Sequence, residues 1–233
     1  MIANLIDVMN IVDDFTCYLQ SSGMSFDDRG FPKIKANDYL DEWPELVVPY
    51  DHRTASFVGA PGKTVLCFYC ADKLLYPRVE NVLSDLPTYR SFLGVIGLDV
   101  TVTADMDPEW QDEIMLLNQL FTAVLAVNGV KVVANLRCGG PTSEVCLESI
   151  PRGVMCASGF LGCQNISTCA DLGFLAKVLR VRPSKLILYG KRDSIAEDQL
   201  DANGIDWRRY PHIRDKDFRG SVPQGGVLRS SLR

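Results

Sequence analysis

From Thr64 onward, short apolar runs rich in β-branched or aromatic residues end in polar turns. A helical segment follows each run, and then another run begins. That rhythm predicts βα units, with strands at 64–69, 99–104, 131–136, 153–157, 185–189 and 205–210. One unit is punctuated with particular clarity. Asp107 is placed to cap a helix, Pro108 suits its first position, Glu109 favours the positive end of the helix dipole, and Asn128-Gly129 closes it. Between these signals Trp110, Ile114, Leu117, Phe121 and Val124 fall on one stripe, as in a helix packed on a sheet. Ser194-Ile-Ala-Glu197 reads as a capping box, Thr168-Cys-Ala-Asp171 as another helix start, and Asn203-Gly204 as a helix end.

Upstream the pattern changes. Leu5, Val8, Met9, Val12, Phe15 and Leu19 recur at helical spacing, predicting an amphipathic N-terminal helix. Residues 21–58 are irregular, with a short helix expected at Ala36–Glu42 and a strand at Leu46–Val48. The expected organisation is therefore a lead-in over 1–60, an α/β domain over 61–210 and a basic tail over 211–233. The strands are nearly continuously apolar, as when both faces of a parallel sheet are covered. Six or seven such strands with crossover helices make either an incomplete βα barrel or an open doubly wound sheet. Helices after almost every strand, without a nucleotide-type glycine fingerprint, favour the barrel.

Composition narrows the class. A hydrophobic fraction of 47% with 23% charged residues excludes a disordered or fibrous chain. The longest apolar stretch, 116–136, is interrupted by Asn118, Gln119, Asn128, Lys131 and Asn135, so no membrane span is expected. The first residues lack the basic start of an export signal. Eight cysteines in 233 residues are too sparse for a disulfide scaffold and read as reduced thiols, which points to the cytoplasm. The net charge of −5 divides into an acidic body and a basic end: residues 177–233 hold 13 Lys and Arg against 7 Asp and Glu. Arg208, Arg209, Arg214 and Arg219 are there, as candidate contacts for nucleic acid or a host protein or as partners of the acidic body.

In either architecture ligands bind at the carboxyl ends of the strands. By the predicted boundaries those ends carry Asp72, Asp105, Arg137, Cys138, Ser158 and Lys191. Asp105 leaves a strand by one step and is the candidate general base. Asp72, Arg137, Cys138, Ser158 and Lys191 are the candidate ligand-binding residues for a polar or phosphorylated small molecule. No cofactor follows from these residues. His52 and His212, the two histidines, fall in irregular segments and read as surface residues. Gly59-Ala-Pro-Gly-Lys-Thr64 imitates the end of a phosphate-binding loop but precedes a strand, where that motif opens a helix. Cys67 and Cys70 have the spacing of half a zinc site without a second close pair, so no metal is assigned. Cys138 and Cys163 are weighed as nucleophiles.

Several short motifs then carry a resemblance. They are Ala104-Asp105-Met106-Asp107, Asn128 to Val133 running into Leu136-Arg137-Cys138-Gly139, Ile150-Pro151 before a strand that leads to Gly162-Cys163, and Leu186-Ile187-Leu188-Tyr189-Gly190. Their order over about 46–190 resembles the domain of unknown function family numbered 4417. The resemblance implies an α/β fold and a phage or mobile-element setting, and brings no activity with it.

Overall fold

The computed structural model describes residue 2 and residues 4–139, 141–159, 172–215, 218 and 224–225. Leu5–Ser21 form α1, which begins with a capping box: the Asn4 side chain accepts from the Asp7 N–H and the Asp7 carboxylate accepts from the Asn4 N–H. Where a short helix was expected over Ala36–Glu42, a three-residue 3-10 turn forms at Ala36–Asp38. Then follow β1 (Leu46–Pro49), β2 (Thr64–Cys67), α2 (Asp72–Glu80), α3 (Val82–Arg90), β3 (Gly94–Ile96) and α4 (Pro108–Val127). Next come β4 (Val132–Asn135), a 3-10 segment at Pro141–Ser149, β5 (Met155–Gly159), α5 (Leu172–Val181), β6 (Lys185–Tyr189), α6 (Ser194–Ala202), β7 (Trp207–Tyr210) and β8 (Gln224–Gly225).

The strands lie side by side in chain order, β1 to β7 all parallel, with β8 antiparallel on the edge of β7. A doubly wound sheet would reverse direction partway; this one does not, and its seven parallel strands curl into a nearly closed barrel. Strand alternation then sorts the core in two. Val47, Val65, Cys67, Ile96, Val133, Met155, Ala157, Ile187 and Tyr210 form an inner cluster to which all seven strands contribute. Val48, Leu66, Val95, Val132, Ala134, Cys156, Leu186, Leu188 and Trp207 belong to the outer core shared with the helices. Leu40, whose N–H donates to the carbonyl of Val132, and Leu93, just before β3, belong to the inner cluster at the amino end of the barrel.

No backbone ladder joins β7 to β1, because β8 takes the free edge of β7. Side chains bridge that seam. The Tyr210 hydroxyl donates to the carbonyl of Pro44 at 2.8 Å, and the Arg208 guanidinium lies 4.5 Å from the centre of the Trp43 ring. Lys185 pairs with Asp41.

The helix signals around α4 are as expected: Asp107 accepts from the Glu109 N–H and Gly129 sits at φ +78°. Two expectations need correction. The α6 cap is Asp193, which accepts from the N–H groups of Ile195 and Ala196, so Ser194 is already inside the helix and makes no capping box with Glu197. More important, 99–104 is not a strand; the third strand is Gly94–Ile96. Val100 and Val102 are buried while Thr101 and Thr103 are exposed, which is the alternation that suggested a strand. Their backbone groups, however, are satisfied by side chains. Asn118 of α4 accepts from the Val100 N–H at 3.1 Å and donates to its carbonyl at 3.3 Å, Asp72 accepts from the Thr101 N–H at 3.1 Å, and Arg137 donates to the carbonyl of Val102 at 3.3 Å.

The expected consequence is specific to Asn118. Replacing it with leucine leaves the buried Val100 amide and carbonyl without partners, a loss of about 2 to 6 kcal/mol in urea unfolding at one to three per orphaned group. A change of a few tenths would mean that the segment does not depend on this side chain.

Candidate functional site

The carboxyl ends of the strands form a polar mouth above the apolar interior. Its floor is aromatic. Tyr69 continues the inward alternation of β2 and stacks on Tyr189 of β6 with ring centres 5.5 Å apart and planes 18° from parallel. Gly159, at the end of β5, permits this: a Cβ there would lie 2.6 Å from the Tyr69 ring. The Tyr69 hydroxyl donates to the Asn135 side-chain oxygen at 3.2 Å, so the floor is tied to the end of β4.

Asn135 also holds the group of greatest chemical interest. Its amide nitrogen donates to the carbonyl of Leu98 at 3.0 Å and to the Asp99 carboxylate at 2.9 Å. Asp99 follows β3 by three residues, and its side chain is only 14% exposed. Burial pushes the carboxyl up to about 6, with the charge of Asp72 adding to the rise and Arg137 and the Asn135 amide opposing it. Arg137 is a weak partner, its Nη1 standing 4.0 Å from the carboxylate. Its Nε is buried and makes no hydrogen bond. Asp72, at the start of α2, accepts from both the N–H and hydroxyl of Thr101 and so fixes the loop that carries Asp99.

Near-closure of the barrel brings the histidines to the same face. Asp51 and His52 follow β1, with His52 Nδ1 3.0 Å from the Asp51 carboxylate. His212 follows β7 and meets Tyr189 edge-on at 5.9 Å. The backbone N–H of Arg214 donates to His212 Nδ1 at 3.2 Å, and burial lowers the His212 pKa, which the charges of Arg214 and His52 lower further. A neutral ring with its proton on Nε2 satisfies that contact. Phe218 packs on Phe57 at 5.1 Å, so the chain beyond β7 returns over the loop after β1.

Of the residues singled out from sequence, Asp72 and Arg137 join Asp99 at the mouth. The others are elsewhere. Asp105 lies on the exposed turn before α4, its carboxyl held low by the Thr103 hydroxyl and its own backbone N–H. Cys138 is buried in the outer core. Ser158 alternates outward on β5, Gly159 being the inward residue, and Lys191 is exposed one step past Gly190. Arg209 is buried, 3.8 Å from Glu197, Arg208 covers Trp43, and Arg214 is exposed. Arg219 and Cys163 lie outside the described residues. Burial raises the thiols of Cys67, Cys146 and Cys156, and pushes Cys70 up to about 12, which leaves them protonated and poorly nucleophilic. No group of three or more His, Cys, Asp or Glu suited to a metal ion occurs among the described residues.

Sequence reasoning passed over Asp99, Asn135, Tyr69 and Tyr189. With the third strand placed at 99–104, Asp99 fell at the amino end of a strand and out of consideration. Asn135 and Arg137 share a parity with inward-facing Val133. That period-two pattern was available in the sequence.

The fold and the mouth together define a nearly closed βα barrel with a polar cluster at the carboxyl ends of its strands. The chain belongs to the family described as Domain of unknown function (DUF4417), which matches residues 24–210. No curated protein and no solved structure matches it. Among the described residues no helix is long and apolar enough to cross a membrane.

The raised proton affinity of Asp99 fixes a sign. Between the carboxyl's unfolded value near 4 and its folded value near 6 the native state holds more protons, so this group's contribution to stability rises as pH falls through 6 and is complete near 4. Asp99→Asn, which cannot ionise, should therefore exceed the wild type in stability at pH 7.5 by about 1 to 2 kcal/mol more than it does at pH 4.5. Chemical denaturation at the two pH values checks this. An equal difference at both would mean that Asp99 is not desolvated.

Proposed function

We propose that this protein binds a small molecule bearing a carboxylate or phosphate at the carboxyl-end mouth of its barrel, with Arg137 as the anion-holding group. The observation that carries the reading is the state of the Arg137 guanidinium. A buried N–H without a partner is costly, and this one belongs to a cation that, among the described residues, has a single bond, at 3.3 Å to the Val102 carbonyl, and a carboxylate no nearer than 4.0 Å. An oxyanion would complete its hydrogen bonds with fork geometry. The location supports this, because βα barrels bind ligands on the face where Arg137 stands. The aromatic floor beneath gives a small molecule an apolar surface to rest on.

The alternative, a nucleic-acid or host-protein contact through the basic C-terminal quarter, has less to draw on. Arg209 is committed to Glu197 and Arg208 to Trp43.

Inorganic phosphate, as the minimal ligand, should raise the melting temperature in thermal denaturation at pH 6.5, and Arg137→Gln should remove that response. Saturation at 100 times the dissociation constant corresponds to about 2.7 kcal/mol, or about 5 °C or more for a chain of this size. A shift that persists in Arg137→Gln would contradict the assignment.

A further inference from the structure

The carboxylate beside Arg137 creates a conflict that an anionic ligand must resolve. Asp99 Oδ1 is 4.0 Å from Arg137 Nη1, so an oxyanion seated on the guanidinium lies within a few ångströms of a carboxylate that water hardly reaches. Two negative charges at that distance in a desolvated place repel strongly. Asp99 cannot turn away freely, because Asn135 holds its Oδ1 at 2.9 Å and Asn135 is in turn held by Tyr69.

We propose that oxyanion binding at the mouth is coupled to uptake of one proton from solvent by Asp99, which changes from a charge partner of Arg137 into a hydrogen-bond donor to the ligand. The inference rests on the anion-binding reading given above and specifies its chemistry. The ligand's oxyanion accepts from Arg137 on one side and from a carboxylic acid on the other. A neutral hydrogen-bond donor cannot satisfy Arg137, and a cation is repelled by it, so the site selects carboxylates and phosphates.

The groups facing Asp99 support this assignment of the proton. Tyr69 and Cys67 from the β2 segment are raised by burial and Cys70 with them, so none carries charge near neutrality. Asp72 at the start of α2 adds negative charge and favours protonation of Asp99, and Arg137 after β4 opposes it. Once the ligand's charge occupies the guanidinium, that opposition is cancelled. The folded carboxyl already stands near 6, so a modest further rise brings its proton on at neutral pH. His52 and His212 also stand at this face, and each would bind an anion better when protonated, so the test must separate them from Asp99.

Sulfate is a suitable probe because it does not titrate between pH 5 and 8. Calorimetric titration of the full chain with sulfate at pH 7, in two buffers of different ionisation heat, should show uptake of most of one proton per anion. Affinity should fall about tenfold between pH 6 and 7.5. Asp99→Asn should bind with little proton exchange and, at pH 7.5, about tenfold more tightly than the wild type, an effect opposite to that of a residue needed only for structure. Asp99→Ser, with its own neutral donor, should also lose the exchange. Undiminished uptake in both variants would assign the proton to the histidines and overturn the proposal, as would weaker sulfate binding by Asp99→Asn. Sulfate binding to the wild type without proton exchange would overturn the coupling alone. No sulfate binding to the wild type at any pH would overturn the anion site itself.

Discussion

A parallel sheet whose strands run in chain order has one face covered by its crossover helices and must satisfy the other by curling on itself. Val47, Val65, Ile96, Val133, Met155 and Ile187 meet in the space that curling encloses, with Leu40 and Leu93 at the amino end and Tyr69 and Tyr189 at the carboxyl end. Asn135, Asp99 and Arg137 gather at the carboxyl end, beside and beyond the tyrosines. The ladder stops one step short of closure because β8 occupies the edge of β7. Tyr210, Arg208 and Lys185 reach the segment before β1 with a hydrogen bond, a stacked cation and an ion pair. Those contacts keep the ends of β1 and β7 together, and so keep His52 and His212 on one face.

The chemistry of the mouth follows from the same constraint. Because the interior is filled, polar groups at the strand ends sit on an apolar floor and are only partly wet. Asp99 is driven toward its neutral form by that setting, and the buried Arg137 Nε finds no hydrogen-bond partner among the described residues. The two are held near each other by Asn135 and by the 98–102 segment, whose backbone is bound by side chains of α2, α4 and the end of β4. In the proposed reading an anion supplies what Arg137 lacks, at the cost of neutralising Asp99. The buried acid and the underused guanidinium are thus two sides of one arrangement.

Much of this was legible in the chain. The βα rhythm placed five of the parallel strands and the capped helix α4, and the missing glycine fingerprint favoured a barrel, which the sequential strand order establishes. The family was recognisable from the motif order. What misled was local. Asp99 to Ala104 alternates as a strand does, and periodicity registers which side chains are buried but not what binds the backbone. Only the fold brings Asn118, eighteen residues away in sequence, against Val100. With the strand misplaced, the reading singled out Asp105, an exposed turn carboxylate, and passed over the nearly buried Asp99. The histidines were unreadable for a different reason: they follow the first and last parallel strands, which adjoin only because the sheet curls.

The state of Asp99 is the most direct test of this account, since it depends on the filled interior, the bound loop and the weak hold of Arg137 together. Carbon-detected NMR titration of its side-chain carboxyl in the ligand-free protein is predicted to give a midpoint near 6. Arg137→Gln should move that midpoint upward, because the guanidinium favours the charged form. A midpoint near 4, as for a solvated aspartate, would contradict the desolvated mouth and the proposals built on it.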